Sequence, residues 1–193
     1  MKTVLYEKDG LIGRVTLNRP EKLNAINDDM PRDLEEAITL ANDDPDVSVI
    51  ILSGNGKAFC SGYDLSEYAQ GNESNKFTQK MPWDPIKDYQ TMWNDTQHFM
   101  SIWKSLKPVI CKVHGFAIAG GSDIALCSDM IIMADNAEIG YMPSRVWGTP
   151  TTAMWVHRIG PEKAKKMLFT GDKINGKEAE KIGLVLELSL IHI

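Results

Sequence analysis

A chain of 193 residues, 43% apolar and 24% charged, can build one sizeable hydrophobic core and hardly two. Its formal net charge of −5 excludes a general nucleic-acid binder, which works by neutralising phosphates with an excess of Lys and Arg. No apolar run approaches the length needed to cross a bilayer, so neither nucleic acid nor membrane is an expected partner. The opening stretch, Met1 to Asp9, turns charged too early for a secretory signal, and a mitochondrial form would need a presequence not seen here. Cys60, Cys111 and Cys127 are odd in number and lack CxxC spacing. They read as reduced thiols, and the expected location is the cytoplasm.

In chain order, Thr3 to Tyr6 and Ile12 to Leu17 read as an antiparallel pair, with Lys8-Asp9-Gly10 as the turn. Asn18-Arg19-Pro20 ends the second strand. A helix follows from Met30 to Asn42, capped by Asp28 or Asp29, with Leu34, Ala37, Ile38 and Ala41 on one face. Val47 to Leu52 is a short apolar strand of the kind covered on both faces. Residues 66–90 are polar and irregular, and read as a mobile loop. The next helix carries Met92, Phe99, Met100 and Trp103 at helical spacing. Val109 to Val113 and Met130 to Met133 are strands, and Ala137 to Gly140 is another short one. Helices near 151–158, 161–169 and 176–182 close the chain. The alternation predicts a single α/β domain with a mostly parallel sheet and helical crossovers.

Two loops stand out. Ala58-Phe59-Cys60-Ser61-Gly62-Tyr63-Asp64-Leu65 and Ile118-Ala119-Gly120-Gly121-Ser122-Asp123-Ile124 each follow an apolar run and end in Gly-x-Asp and an apolar residue. Such a loop leaves backbone N–H groups free at a helix start. Two of them can aim N–H groups at one oxygen from opposite sides, which is the geometry of an oxyanion hole.

These motifs resemble the crotonase family, also called the enoyl-CoA hydratase/isomerase family. The matching pieces also include Leu17 to Pro20, Leu23 to Ile26, Lys107 to Ile110, His114 to Ala117, Thr170 to Ile174 and Gly183 to Val185. The resemblance covers about residues 3–187. It implies a ββα spiral of stacked, near-perpendicular sheets flanked by helices, acyl-CoA thioester substrates, no cofactor beyond the CoA of the substrate, and a homotrimer or hexamer for the full-length protein. Carried over by position, it assigns the oxyanion N–H groups to Tyr63 and Gly120 and proton transfer to Asp123. Lys22, Leu23 and Ala25 would flank the adenine and phosphates, with Ser61, Asp64, Leu65 and Ser66 continuing the CoA-lining segment. The expected activity is enoyl-CoA hydration or isomerisation. Thioester hydrolysis and non-catalytic acyl-CoA or protein binding on the same fold are the alternatives.

The chain also departs from the family. Its hydratases use two glutamates, which fall here on Asp123 and Ser144. A serine without a partner is no general base, which puts the two-glutamate hydration in doubt. An aspartate at the first position resembles the dienoyl-CoA isomerase branch, whose further aspartate would fall near Thr152. Tyr141 or Arg145 could occupy the place vacated at Ser144. The family continues past Gly183-Leu184-Val185 into helices that roof the site. Residues 188–193 match nothing in it and read as an unrelated tail.

Other features have plainer readings. Asp123 and Asp64 read as helix caps as well as site residues, and Ser144 as a turn residue. Cys60 reads as a packed thiol, and His98 and His114 as satisfied histidines without metal-ligand spacing, so no metal is expected. Lys163, Lys165 and Lys166 form a solvated helix face.

Overall fold

The computed structural model describes residues 1–68, 79, 81–146, 148 and 150–189. Strands β1 (Val4–Asp9) and β2 (Ile12–Leu17) pair antiparallel in a register that sets Asp9 opposite Ile12. The turn is therefore Gly10-Leu11, one residue later than the expected Lys8-Asp9-Gly10. Gly10, at φ 59°, takes the left-handed position such a tight turn needs.

Helix α1 (Met30–Asp43) buries the expected face, with Leu34, Ala37, Ile38 and Ala41 all at 1% exposure or less. Burying Leu34 and Ile38 is worth roughly 2 kcal/mol each. Neither Asp28 nor Asp29 caps it. Asp29 is already helical and turns its carboxylate to Lys2 and Arg32, and Asp28 accepts from the Tyr68 hydroxyl. The Met30 N–H goes to Asn27 Oδ1 instead (3.1 Å).

Strand β3 (Val49–Gly54) runs two residues later than expected and buries Ile50 and Leu52 in alternation rather than as a continuous run. The 66–90 segment is not all loop. A one-turn helix α2 (Leu65–Tyr68) and a long helix α3 (Pro85–Trp103) flank residues 69–78 and 80, which lie outside the described residues. Asp84 caps α3 by accepting from the Ile86 N–H (3.0 Å), with Pro85 at the first helical position. The buried face of α3 is Asp95, Thr96, Phe99 and Ile102. Trp103, one of the four residues at helical spacing, is 40% exposed and sits edge-on to His157.

Strands β4 (Val109–Val113) and β5 (Phe116–Ile118) lead into helix α4 (Gly120–Leu126), followed by β6 (Met130–Ala134) and β7 (Glu138–Gly140). Helix α5 (Met154–Thr170) breaks at Gly160-Pro161, where φ 74° interrupts it, so the two expected helices meet end to end. Strand β8 (Lys173–Asn175), helix α6 (Gly176–Lys181) and strand β9 (Glu187–Ser189) follow.

One sheet runs β1-β2-β3-β4-β6-β9, parallel beyond the first hairpin, and a second runs β5-β7-β8. Leu188 and Ser189, at the start of the stretch read as a tail, pair with Met133 and Ala134 of β6. Residues 190–193 lie outside the described residues.

Gly115, between the two sheets, has φ 59°, and a Cβ there would lie 2.1 Å from the Lys57 carbonyl oxygen. Left-handed strain and a backbone clash together predict that Gly115→Ala destabilises the fold by roughly 3 kcal/mol or more. Urea unfolding at constant m measures it.

Candidate active site

The two glycine loops pack against each other. Cys60 bridges Ala117, its N–H donating to Phe116 O (2.8 Å) and its carbonyl accepting from Ile118 N–H (3.0 Å). Gly62 is pressed against Ile118 O and the Ala119 methyl, and Gly121 against the Cys60 carbonyl. A Cβ on Gly120 would lie 3.0 Å from the Tyr63 ring and 2.7 Å from Ile26 Cδ1. The loops therefore place Tyr63 beside Gly120.

Ala119 holds φ 53°, ψ −125°, a strained conformation for a residue with a side chain. Its carbonyl is clamped by the Ser122 hydroxyl (2.6 Å) and N–H (2.9 Å) and by the Asp123 N–H (3.2 Å). This strained residue sits directly before Gly120. Among the described residues the other non-glycine positions with positive φ are Leu23 and Asn24, in the expected CoA-lining segment.

That segment runs along the first loop. Ser61 N–H donates to Leu23 O (3.1 Å), Ile26 N–H to Gly62 O (2.8 Å) and Asp64 N–H to Ile26 O (2.9 Å). The buried Asn24 amide ties the turn down by donating to Asn55 O and Ala58 O. Lys22 Nζ reaches the Ser66 hydroxyl (3.3 Å). Lys22, Leu23, Ala25, Ser61, Tyr63, Asp64, Leu65 and Ser66 thus gather in one place, with Lys22, Leu65 and Ser66 exposed at its edge.

Arg19 organises this edge. Its guanidinium donates to Asp64 (3.0 Å), Glu67 (3.2 Å) and the Ala25 carbonyl. Burial works to raise the Asp64 carboxyl, but the Ser66 hydroxyl and Arg19 outweigh it and hold it below the usual carboxylate range. Asp64 also accepts the Ser66 N–H (3.1 Å) at the start of α2, so it caps as expected. Arg19→Met strands a carboxylate that is 4% exposed and should cost about 3–5 kcal/mol, read as a lowered denaturation midpoint.

Asp123 is not the N-cap of α4, because the helix begins three residues earlier. Its carboxylate is 1% exposed. It accepts the Thr152 hydroxyl (2.9 Å) and the backbone N–H groups of Thr151 and Thr152. Burial pushes it up to about 7, and those donors hold it back from going higher. A carboxyl half-protonated near neutrality can both give and take a proton. Thr152→Val removes one of the donors and should move the half-protonation point upward, seen in the side-chain carboxyl 13C shift against pH.

Burial raises the Cys127 thiol to about 12, with a further contribution from the Asp123 charge. The Tyr141 hydroxyl is raised by its own burial and then by the same charge.

Ser144 is engaged within its own turn. Its hydroxyl (2.9 Å) and N–H (3.3 Å) both turn back to the Tyr141 carbonyl, and a Cβ on Gly171 would touch it. Arg145 is engaged elsewhere, donating to Thr170 O and Asp172 (both 2.6 Å). Among the described residues, Tyr141, from the start of the same turn, and Thr152 are buried side chains within reach of Asp123.

A residue that the sequence did not single out also reaches this place. The Tyr63 hydroxyl donates to Asp95 of α3 (3.2 Å), itself 4% exposed. Burial raises the Tyr63 phenol well above its ordinary value, and Asp95, Asp123 and Tyr141 raise it further.

Elsewhere, His98 pairs with Glu35 (2.7 Å), His114 meets the Gly56 carbonyl (3.0 Å) and Lys163 reaches Ile182 O (2.9 Å). Burial pushes the Cys60 thiol up to about 12, which makes it inert packing. Among the described residues no cluster of three His, Cys, Asp or Glu could hold a metal, and no helix is long and apolar enough to cross a membrane.

The arrangement of sheets and helices is the crotonase fold. An enoyl-CoA hydratase structure from Mycobacterium smegmatis matches with a TM-score of 0.89 and 44% identity, over 97% of this chain and 66% of that one. The profile of the enoyl-CoA hydratase/isomerase family matches residues 7–189, and the chain belongs to that family. A probable mitochondrial enoyl-CoA hydratase of Dictyostelium discoideum is 34% identical, over 95% of this chain and 62% of the relative. A crotonyl-CoA hydratase of Syntrophomonas wolfei is 34% identical, over 95% and 68%. The chain thus spans about two thirds of the length of these relatives.

Proposed function

We propose that this protein acts on an acyl-CoA thioester, holding the enolate form of the thioester with the N–H groups of Tyr63 and Gly120 and moving a proton with Asp123. The observation that carries this reading is the contact of the two glycine loops beside one buried carboxyl poised near neutral pH. Adding water to a double bond next to a thioester, or shifting that bond, pushes negative charge onto the thioester oxygen. Preset N–H donors stabilise that charge at no reorganisation cost. Asp123 gives or takes the proton at the adjacent carbon.

The substrate class is an enoyl-CoA, supported by what the relatives are named for. Lys22, Leu23, Ala25, Ser61, Asp64, Leu65 and Ser66 line the CoA side, supported by their gathering along one edge. No cofactor beyond the CoA enters the reading. Three buried thiols support work in a reducing compartment such as the cytoplasm. Exposed Trp83, Ile86, Tyr89 and Trp93 along α3 and its approach support self-association, in which the family resemblance implies trimers or hexamers. As a proposal, residues 1–187 form one crotonase-like domain together with the last two residues of β9, Leu188 and Ser189.

The test is turnover of crotonyl-CoA and a 3-enoyl-CoA, with free CoA release followed in parallel by a thiol reagent. Hydration or double-bond migration without CoA release is expected. CoA release alone would assign thioester hydrolysis. Tight binding without turnover would leave a non-catalytic binder.

A further inference from the structure

Hydration can divide its proton handling between two groups. One activates water at the β-carbon and one delivers a proton to the α-carbon. Asp123 is one candidate group, and Ser144 is turned into its own turn. Among the described residues, the buried aspartates other than Asp123 are Asp33, Asp64 and Asp95. Asp33 is taken up by the N–H groups of Lys2 and Thr3 and the Thr3 hydroxyl, far along the chain at the first hairpin. Asp64 is engaged with Arg19 and Ser66. Asp95 instead accepts from a phenol whose ring lies against Gly120 and whose hydroxyl lies within the electrostatic reach of Asp123 and Tyr141.

We infer that α3 supplies the missing second arm: Tyr63 activates the attacking water and Asp95, behind it, receives the proton. The inference rests on the function proposed above. As water attacks the β-carbon, its proton passes to the Tyr63 oxygen while the Tyr63 proton passes to the Asp95 carboxylate. Hydroxide adds to the β-carbon, and the double-bond electron pair moves to the thioester oxygen as the enolate. The protonated Asp123 then delivers its proton to the α-carbon as the enolate collapses. Asp95 has gained one proton and Asp123 has lost one, and exchange with bulk water restores both. Moving one proton in as the other leaves avoids a tyrosinate beside the Asp95 carboxylate, which its charge would oppose.

Tyr63 touches the reacting water and is the catalytic residue of this arm. Asp95 acts through it and is a positioning residue. The same residue therefore has two separate tasks, its backbone N–H at the thioester oxygen and its side chain at the water. Replacing Tyr63 by Phe removes the second task and leaves the first.

The experiment compares hydration of crotonyl-CoA with α-proton exchange of butyryl-CoA in D2O, in the whole protein. Exchange needs the enolate and one base, whereas hydration needs both arms. Tyr63→Phe and Asp95→Asn should each lower the ratio of hydration to exchange at least 100-fold, mainly through kcat. The double variant should be little worse than either single, as expected when two groups act as a unit. Asp95→Glu should restore part of the ratio, and Tyr63→Phe, which keeps the ring packing, guards against a folding defect at Asp95.

An unchanged ratio in a folded Tyr63→Phe variant, with Asp123→Asn losing both reactions, overturns this inference and leaves the proposed function standing. A wild-type protein that exchanges α-protons but does not hydrate also overturns it. A wild-type protein that does neither overturns this inference together with the function on which it rests.

Discussion

Asp123→Asn should lower the rate of α-proton exchange and of any hydration or isomerisation by about 100- to 10,000-fold while the protein stays folded. That is the range by which a positioned acid or base contributes. The substitution keeps the size and one acceptor oxygen for the Thr152 hydroxyl, removes the titration, and puts an amide NH2 where the second carboxylate oxygen stood. It should also change stability in a pH-dependent way. The folded protein holds this proton up to about 7. The unfolded chain releases it near ~3.9. Between those values the native state binds more protons than the unfolded state, so wild-type stability falls as pH rises through about 4 to 7 and then levels off. The variant escapes that fall. It should gain up to about 4 kcal/mol over wild type at pH 8 and much less at pH 5, less whatever its amide N–H groups leave unpaired. Thermal melts at the two pH values measure this. Equal stability differences at both would show that Asp123 titrates normally and is not the poised group.

Gly120→Ala carries the second large effect. The added methyl lies 2.7 Å from Ile26 Cδ1 and 3.0 Å from the Tyr63 ring. Both neighbours are side-chain atoms and can yield, so the fold survives. The displacement falls on the residue whose N–H we propose to serve the thioester oxygen and on the ring of its proposed counterpart. Losing one preset donor of this kind costs on the order of 100- to 1,000-fold in kcat. We expect a kcat loss near the lower end of that range, with KM for the acyl-CoA changed far less. A variant with wild-type kcat would place the enolate somewhere other than beside Gly120.

How far the sequence led depends on how local the determining physics is. The face of α1 through Leu34, Ala37, Ile38 and Ala41 was legible because 3.6-residue spacing is read directly from the chain. So were β4 and β6, and the break at Gly160-Pro161. Strands β5 and β8, three residues each, are too short to show a period and exist because the neighbouring strand β7 pairs with both. The start of α3 was legible but missed, since Asp84-Pro85 carries both the cap and the first-position proline.

In the site, the two loops were found by their glycines, though for an incomplete reason. Gly120 and Gly121 are helical rather than loop residues. Gly121 is glycine because the Cys60 carbonyl would lie 2.5 Å from its Cβ. Close approach, not turning, is what their size serves, and it is this approach that joins the two segments. Nothing in the loop motif foresees the bond from the Tyr63 hydroxyl to Asp95. Nothing in the spacing of α3 separates Asp95 from the polar residues around it. Its burial is decided by where α3 packs, which is a tertiary fact. The same holds for Thr152, whose pairing with Asp123 spans 29 residues of chain.

The most direct measurement is a crystal structure of the protein with butyryl-CoA bound. The thioester oxygen should lie about 2.7–3.1 Å from both the Tyr63 and the Gly120 nitrogen, with the Asp123 carboxyl beside the α-carbon. A thioester oxygen that reaches only one of these nitrogens, or neither, would contradict the account.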